Sequence, residues 1–414
     1  MTILVMDWFG FQSKQFAISG GSFFWWKGQQ TRGFSSNMGE LRIKILKRTF
    51  LMSLNNLAGF VASALLGLWL PHADAFTFVT GHKSSVLNNS ITFHVDIPGY
   101  SDSGVPWNAA FSQAAEQWSM LTPVQVNTLR LSSDPCASSS DGISSVGFTN
   151  ACNSESAVAN ARVQRSARQT IIASDIPYNS NHFWDIYDGV TQGKRIYDAF
   201  GGVVIHPVSD FARVSLHEIG HSLGLGHSVF PRSMLTIGTI RDRGVNKLSL
   251  DDICGVSIAH GRADLCPLAL PNSVTASGKP TSALFVGGVS NDRGDTYKNV
   301  FSRADVIDIM ATAVVEEEHY GKSGRLHAII ELSDGATLMT TDDGFAPWNG
   351  SVEALKTTSA VTLDGANEIY VLKDFNLAAN LISNIGVAVY VGYSLDSEPG
   401  DVYYSGTPIQ FRVE

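Results

Sequence analysis

Three histidines and one glutamate lie close together in the segment "HEIGHSLGLGH". His217 and His221 are separated by one helical turn, so on a helix both side chains project from the same face. Two neutral imidazoles at this spacing can bind one zinc ion, and Glu218 can take a proton from a water at the metal. Gly224 can adopt a positive φ, so the chain can turn and bring His227 back as a third ligand. The spacing predicts a catalytic zinc site with one coordination position left for water.

The length of this pattern argues against coincidence. A lone H-E-x-x-H occurs by chance in unrelated proteins, whereas the longer pattern fixes five positions. With 11 His and 38 Gly in 414 residues, a chance match is about one in ten thousand or rarer. A core histidine with satisfied hydrogen bonds would explain one of these residues but not the set.

The segments before the histidines predict the elements that position them. "WNAAFSQAAEQWSML" (Trp107–Leu121) carries apolar residues at helical spacing. Three other segments have the alternation or the apolar run typical of strands. These strand segments are Ser90–Gly99, Gln169–Asn179 and Gly201–Pro207. We expect a mixed domain with strands on one side and two or three helices on the other.

A further helix is predicted after the histidines, in "LSLDDICGVSIAHG" (Leu248–Gly261). Ser249 can cap its beginning, Asp252 stands at the capping-box position, and Gly261 can end it. The sequence therefore predicts both ends of this helix.

The histidine segment resembles the H-E-x-x-H-x-x-G-x-x-H pattern of the metzincin zinc endopeptidases and, among these, the matrixins. Ser228 follows the third histidine as it does in matrixins, and Met234 in "PRSMLT" stands where a methionine turn is expected. The resemblance covers residues 90–261. It implies an α+β catalytic domain with a twisted mixed sheet, an active-site helix and a C-terminal helix. The site residues that it implies are His217, His221 and His227 as ligands of one zinc ion, Glu218 as the base, and Met234 as an apolar floor.

The sequence departs from the family in two respects. Matrixins commonly keep Pro and Tyr soon after the methionine, where the wall of the specificity pocket forms. Here "LTIGTIRDRG" follows Met234, so the cleavage specificity cannot be inferred. No "PRCG"-like segment precedes the domain, so we do not expect latency through a propeptide cysteine.

Additional metal sites have weaker support. His182, Asp185 and His206 could correspond to ligands of a structural zinc, but no fourth partner is evident, which favours His206 as an ordinary strand residue. Calcium is an alternative at acidic loop positions, although such residues are more often simply solvated. The calcium candidates are Asp175, Asp185, Asp188 and Asp198.

Four cysteines occur, all after the N-terminal region, and none forms a C-x-x-C pair. An even count in an exported chain suggests disulfides, for which three pairings are open. We favour the pairing of near neighbours, Cys136 with Cys152 and Cys254 with Cys266. Four buried free thiols are the alternative.

The N-terminal region, residues 1–75, has the layout of an extension and a secretory signal peptide. A basic stretch from Arg42 to Arg48 precedes the apolar "LAGFVASALLGLWL" (Leu57–Leu70), and "HADA" ends at Ala75. The alternative is a membrane anchor, but this apolar run is shorter than the roughly twenty residues that a span requires. We expect cleavage after Ala75, secretion, and no membrane span in the mature protein. The layout also favours Met38 as the start of translation.

The charge distribution excludes one class of partner. Residues 1–75 hold seven Lys or Arg and three Asp or Glu, a net charge of +4, whereas the whole chain carries −9. The remainder therefore carries −9 − 4 = −13. An acidic body argues against nucleic acid as a partner.

Downstream of the catalytic domain, predicted at 76–267, the chain changes character. Residues 268–285 are rich in proline and small polar residues and predict a linker. Residues 286–414 predict an all-β, immunoglobulin-like sandwich, because strand-like runs alternate with Asp/Gly/Asn turns. The predicted strands are "RLHAIIEL", "NEIYVLKDF", "GVAVYVGYSL" and "PIQFRV".

These features favour a secreted, monomeric zinc endopeptidase acting on proteins or peptides. One alternative is a secreted binding or adhesive protein with a vestigial metal domain, against which the intact ligands and base argue. Another is a zinc amidase acting on a non-protein substrate, which metal geometry alone does not exclude. Casein digestion that a chelator abolishes would separate the first two.

Overall fold

The computed structural model describes residues 76–137, 141–152, 157–187, 192–197, 203–228, 230–236, 245–358, 360–380 and 382–414. The predicted extension and signal peptide at residues 1–75 lie outside this part, as do Asp188 and Asp198. Among the described residues, no helix combines the length and the apolar character needed to cross a membrane.

Two sheets form the strand layer of the catalytic domain. The larger has the order β2-β1-β3-β5-β4, in which β4 is antiparallel to its neighbour and the other pairs are parallel. The smaller has the order β6-β8-β7. The strands are β1 Ser90–Val95, β2 Gln125–Leu129, β3 Ser144–Thr149, β4 Arg162–Arg165, β5 Ile171–Asn179, β6 Phe183–Asp185, β7 Gln192–Tyr197 and β8 Val203–Asp210. The domain is α+β with a mixed sheet.

Three α-helices in the described ranges complete this domain: α1 Trp107–Leu121, α2 Phe211–Ser222 and α3 Leu250–Ala259. The apolar face of α1 packs into the core, and Trp118 on this face is fully buried. Its indole Nε1 donates a hydrogen bond to the carbonyl oxygen of Leu216 in α2, at 3.0 Å. The first helix therefore fixes the helix that carries the histidines.

The ends of α3 follow the sequence expectation. Ser249 and Asp252 form a reciprocal capping box at the N-terminus, and Gly261 has a φ of +73° just beyond the C-terminus. A disulfide joins Cys254 of α3 to Cys266, and a second joins Cys136 to Cys152, which is the pairing favoured from the sequence.

The C-terminal region is a β-domain with two sheets around one core. The first sheet has four antiparallel strands in the order β18-β13-β11-β9. The second sheet has nine strands. Six of them follow the order β10-β20-β19-β14-β15-β16, and the other three, β12, β17 and β21, pair outside this order. The strands are β9 Ala269–Leu270, β10 Ser273–Thr275, β11 Leu284–Ser290, β12 Val300–Phe301, β13 Val306–Val314, β14 Ser323–Leu332, β15 Thr337–Thr341, β16 Gly344–Pro347, β17 Val361–Thr362, β18 Ala366–Asn376, β19 Ile385–Leu395, β20 Tyr403–Ser405 and β21 Ile409–Val413. That this domain is immunoglobulin-like stays a prediction.

The segment predicted as a linker, residues 268–285, is built into the β-domain. It contributes β9, β10 and the first residues of β11, and Gly287 donates a backbone hydrogen bond to the carbonyl oxygen of Leu268 at 2.9 Å. Its proline and small polar residues are typical of linkers, but backbone pairing with later strands is not visible in local composition.

One face of the four-stranded sheet packs against the catalytic domain. Side chains alternate along a strand, so every second residue of β11, β13 and β18 points away from the β-domain core. Val286, Val314 and Ala366 on this outer face join the core of the catalytic domain. We call this outer face the docking face; its other members used below are Gly288, Met310 and Tyr370, which share one row of the register.

Candidate metal centre

Buried polar contacts hold helix α2 at its N-terminus and along its length. The Asp210 side chain caps its N-terminus by accepting a hydrogen bond from the backbone of Ala212, and it also pairs with the buried Arg213 at 3.1 Å. Farther along, the hydroxyls of Ser215 and Tyr178 lie 2.8 Å apart. These buried, partnered polar groups fix the rotation of the helix and thereby the direction of its ligands.

The two histidines of α2 present their Nε2 atoms to each other at 3.0 Å. The Nδ1 of His217 lies 2.8 Å from the carbonyl oxygen of Met234, and the Nδ1 of His221 lies 2.7 Å from that of Leu225. A carbonyl oxygen only accepts, so each Nδ1 carries the proton and each Nε2 carries a lone pair. Two facing lone pairs repel each other unless a cation lies between them, which is the arrangement of two ligands to one metal.

Gly224 produces the turn that brings the third histidine back. Its φ is +101°, and a Cβ at this position would lie 2.6 Å from the carbonyl oxygen of Ser84. Only glycine satisfies both the positive φ and this close approach. His227 then reaches the helix face, where it and the other two histidines place nitrogen atoms within 4.8 Å of one another.

The donor set fits zinc. Burial lowers the pKa of His217 well below its ordinary value and that of His221 to about 4, and it also lowers the pKa of the more exposed His227. All three rings are therefore neutral near pH 7, as metal ligands must be. Three neutral imidazoles with two ring orientations fixed by backbone carbonyls match a catalytic zinc site, which takes three protein ligands.

Glu218 lies on the same helix, buried next to the first ligand. Its carboxyl group accepts a hydrogen bond from the backbone N–H of Ala161, whereas Oε2 makes no hydrogen bond to the protein. Burial is the main reason that the pKa of Glu218 is raised to about 8, and a cation held by the three histidines would lower this pKa and favour the carboxylate. A buried carboxyl group with one oxygen left available is suited to exchange a proton with a reacting molecule.

Met234 is buried, and its loop is held by α3. The carboxylate of Asp252 accepts hydrogen bonds from the backbone N–H of Met234 at 2.9 Å and from the Ser233 hydroxyl at 2.6 Å. Sequence reasoning found Asp252 only as a helix cap. Its contact with the Met234 loop was not predicted, because Asp252 and Met234 are 18 residues apart. The only hint in the sequence was the second acidic residue beside it, Asp251.

Among the described residues, none of the weaker metal candidates belongs to a group of three potential ligands. Asp175 accepts a hydrogen bond from the backbone of Ser145, and Asp185 accepts from those of Ser103 and Ile186. Within the described ranges, the groups of three potential ligands are the three histidines and a second set, Glu316, Glu318 and His319. Neither group includes His182 or Asp185, and the side chain of His206 lies outside what the structure describes.

Comparison with known proteins agrees with this geometry. The family model described as Matrixin matches residues 87–261. The chain carries a matrixin domain. Human matrix metalloproteinase-25 is 38% identical over 66 residues, an alignment that spans 15% of this chain and 12% of that protein. The matrixin match identifies the domain as that of a metalloendopeptidase family and implies a catalytic zinc. It ends at Gly261, so it does not extend into the β-domain.

Proposed function

We propose that this chain is a secreted zinc-dependent endopeptidase that hydrolyses proteins or peptides. The observation that carries the proposal is the convergence of two unprotonated Nε2 atoms at 3.0 Å, with a third histidine beside them. A buried carboxyl group, Glu218, completes the set on the same helix. This combination supplies the parts that metal-assisted peptide hydrolysis needs.

The histidines and Glu218 have different roles in the proposed reaction. His217, His221 and His227 would hold zinc, which as a Lewis acid polarises the scissile carbonyl and lowers the pKa of water. Glu218 accepts the proton of the attacking water and then delivers it to the leaving amine, so that the peptide bond breaks without free acid or base. The hydrogen bond from Ala161 holds this carboxyl group in place.

Strand β4 is the natural place for the substrate backbone. It ends the five-stranded sheet, and Ala161, which contacts Glu218, immediately precedes it. An extended peptide that pairs with such an edge gains backbone hydrogen bonds independent of its side chains. The substrate would therefore be an unfolded or extended segment.

Secretion and a monomeric state are parts of the same proposal. Two disulfides favour an oxidising compartment, and the net charge of −13 after residue 75 favours solubility and disfavours nucleic acid. An immunoglobulin-like fold for the β-domain is supported by its antiparallel four-stranded sheet packed on a second sheet.

The direct test replaces Glu218 in the full chain. We expect Glu218→Ala to bind zinc with the stoichiometry of the wild type but to lose roughly 10²–10⁴-fold in kcat/KM on a quenched fluorescent peptide library. Zinc content is measured by mass spectrometry and hydrolysis by fluorescence. Glu331→Ala, which removes an exposed carboxyl group in the β-domain, is the matched control.

Two results would contradict the proposal. Glu218→Ala could retain hydrolysis, or the zinc-loaded wild type could cleave no peptide or protein substrate. A chelator should abolish activity, and added zinc should restore it.

A further inference from the structure

The loop that follows the third histidine, described at Ser228 and at residues 230–236, is anchored on one side by α3. The hydroxyl of Ser228 donates to Asp251 at 3.2 Å, and Asp252 holds Ser233 and Met234. These contacts lie within the matrixin domain. The backbone of Phe230 is held inside the loop by Ser228 and Ser233, whereas its side chain finds its partners elsewhere.

Phe230 is held by the β-domain. Its side chain is 4% exposed and packs with Met310, Tyr297 and Tyr370 in an apolar cluster separate from both main cores. The rings of Phe230 and Tyr370 meet edge to face, with centroids 5.9 Å apart and an interplanar angle of 86°. Such aromatic pairs stabilise a fold by more than the burial of their apolar area alone. A residue three positions after a proposed zinc ligand thus has its packing partners in the other domain.

The docking face is shaped to receive this ring. Gly288, Met310 and Tyr370 stand in one row across β11, β13 and β18. A Cβ on Gly288 would lie 2.5 Å from Cδ1 of Tyr297, so the glycine makes room for that aromatic ring to close the pocket. The pocket is therefore built from the side chains of Met310 and Tyr370 on two strands and of Tyr297 on a loop, in space that Gly288 leaves open.

A short series of contacts connects this pocket to the metal ligands. The carbonyl oxygen of Phe230 accepts the backbone N–H of Ser233 at 2.9 Å. Met234 comes next, and its carbonyl oxygen accepts the hydrogen bond that fixes the ring of His217. The side chain of Phe230 therefore sits at the remote end of the turn that orients the first ligand.

We propose that Phe230 is a positioning residue and that the β-domain, through it, supports the loop that orients the first metal ligand. Removing the ring would take away the packing of the loop on the β-domain and thereby loosen the Met234 carbonyl that orients His217. Groups that orient a ligand in this way typically change metal affinity 10- to 100-fold when they are lost. The inference concerns metal binding, and it rests on the proposed function only for its effect on hydrolysis.

The test compares two phenylalanines in the full chain. Phe230→Ala removes the ring described above, whereas Phe411→Ala removes a similarly buried ring in the β-domain core, which meets Phe301 at 5.8 Å and 86°. We expect Phe230→Ala to weaken zinc binding roughly 10-fold or more, measured by competition with a chromophoric chelator, and to change the visible spectrum of the Co²⁺-substituted protein. Phe411→Ala should lower thermal stability to a similar degree but leave zinc affinity and the Co²⁺ spectrum unchanged.

A second pair of variants covers the case in which Phe230→Ala does not fold. Tyr370→Phe keeps the ring that Phe230 contacts and should bind zinc like the wild type, whereas Tyr370→Ala should follow Phe230→Ala. Wild-type zinc affinity in both Phe230→Ala and Tyr370→Ala, or an equal loss in Phe411→Ala, would overturn the inference. Failure of the proposed function looks different, because the wild type would then bind zinc and hydrolyse nothing.

Discussion

At the scale of single residues, the metal centre depends on one backbone conformation. Gly224 has a positive φ and lies against the carbonyl oxygen of Ser84. The backbone N–H of Gly224 donates to the carbonyl oxygen of His221 at 3.0 Å, so the same turn closes the helix and redirects the chain. His227 can reach the other two histidines only through this turn.

We predict that Gly224→Ala destabilises the protein far more than the same change at a free turn. Gly278→Ala is the matched control, because Gly278 has a φ of +78° but a Cβ there would meet no atom within 4 Å. The control should lose about 1 kcal/mol of unfolding free energy from φ alone, and Gly224→Ala at least about 3 kcal/mol because steric overlap is added. Urea unfolding measures both. Equal losses would show that the contact with Ser84 is unimportant.

Spacing alone was sufficient to predict the candidate ligands, because His217, His221 and Glu218 share one helix and His227 follows a single glycine turn. The groups that orient them were not predictable in this way. The carbonyl of Met234, the N–H of Ala161 and the ring of Phe230 act through contacts distant in sequence. A backbone group has no residue type that marks its role, and a buried phenylalanine has no chemistry that distinguishes one pocket from another.

At the scale of elements, helix caps and amphipathic spacing were sufficient to predict α1 and α3. Two central strands of the β-domain were not predicted. β13 (Val306–Val314) is buried at every position but the first, so it lacks the alternation by which a half-exposed strand is recognised. β11 (Leu284–Ser290) contains the pair Gly287 and Gly288, which lowers its strand propensity. The second glycine is needed by the neighbouring ring of Tyr297, a reason that only the packing reveals.

The end of α3 supplies a pH-sensitive contact. His260 accepts the backbone N–H of Val86 on Nε2 at 2.9 Å and donates from Nδ1 to the carbonyl oxygen of Val256 at 2.8 Å. Only the neutral ring can do both, and burial is the main reason that its pKa falls to about 4. The unfolded chain, with a histidine pKa of about 6.5, binds the proton first. The stabilisation from this contact is therefore complete above about pH 6.5 and decreases as the pH falls toward 4.

We predict that His260→Gln is less stable than the wild type at pH 7 and that the difference narrows as the pH falls. The narrowing should approach about 1 kcal/mol per pH unit between pH 6 and 5, because the variant has no proton to bind at this position. Chemical denaturation at fixed pH values measures it. A difference that stays constant from pH 7 to 5 would contradict the assigned pKa direction.

At the scale of the whole molecule, the two domains share apolar contacts instead of meeting through a flexible connection. Val286, Val314 and Ala366 of the β-domain belong to the core of the matrixin domain, and Gly365 donates a backbone hydrogen bond to the carbonyl oxygen of Gly81 at 2.6 Å. Local composition predicted a linker here because proline and serine are common both in linkers and in the turns between short paired strands. Shared burial predicts cooperative unfolding.

We predict that a charge on the docking face uncouples the two domains. Val314→Lys places an ammonium group in the shared core, whereas Val306→Lys changes the first residue of the same strand, which is 41% exposed. Calorimetry should resolve two unfolding transitions for Val314→Lys and one for Val306→Lys and the wild type, because burying an unpaired charge costs several kcal/mol. A single transition in all three proteins would mean that the contact does not couple them.

In the described part of the chain, the two domains are packed directly against each other. This packing limits how the β-domain can assist cleavage. A module on a loose tether raises the local concentration of substrate over a range of distances. A module packed through Val314 and Phe230 instead presents anything that it binds at one fixed distance and angle from the three histidines. A polymer bound to this domain would therefore reach the three histidines only at a set distance from its point of attachment.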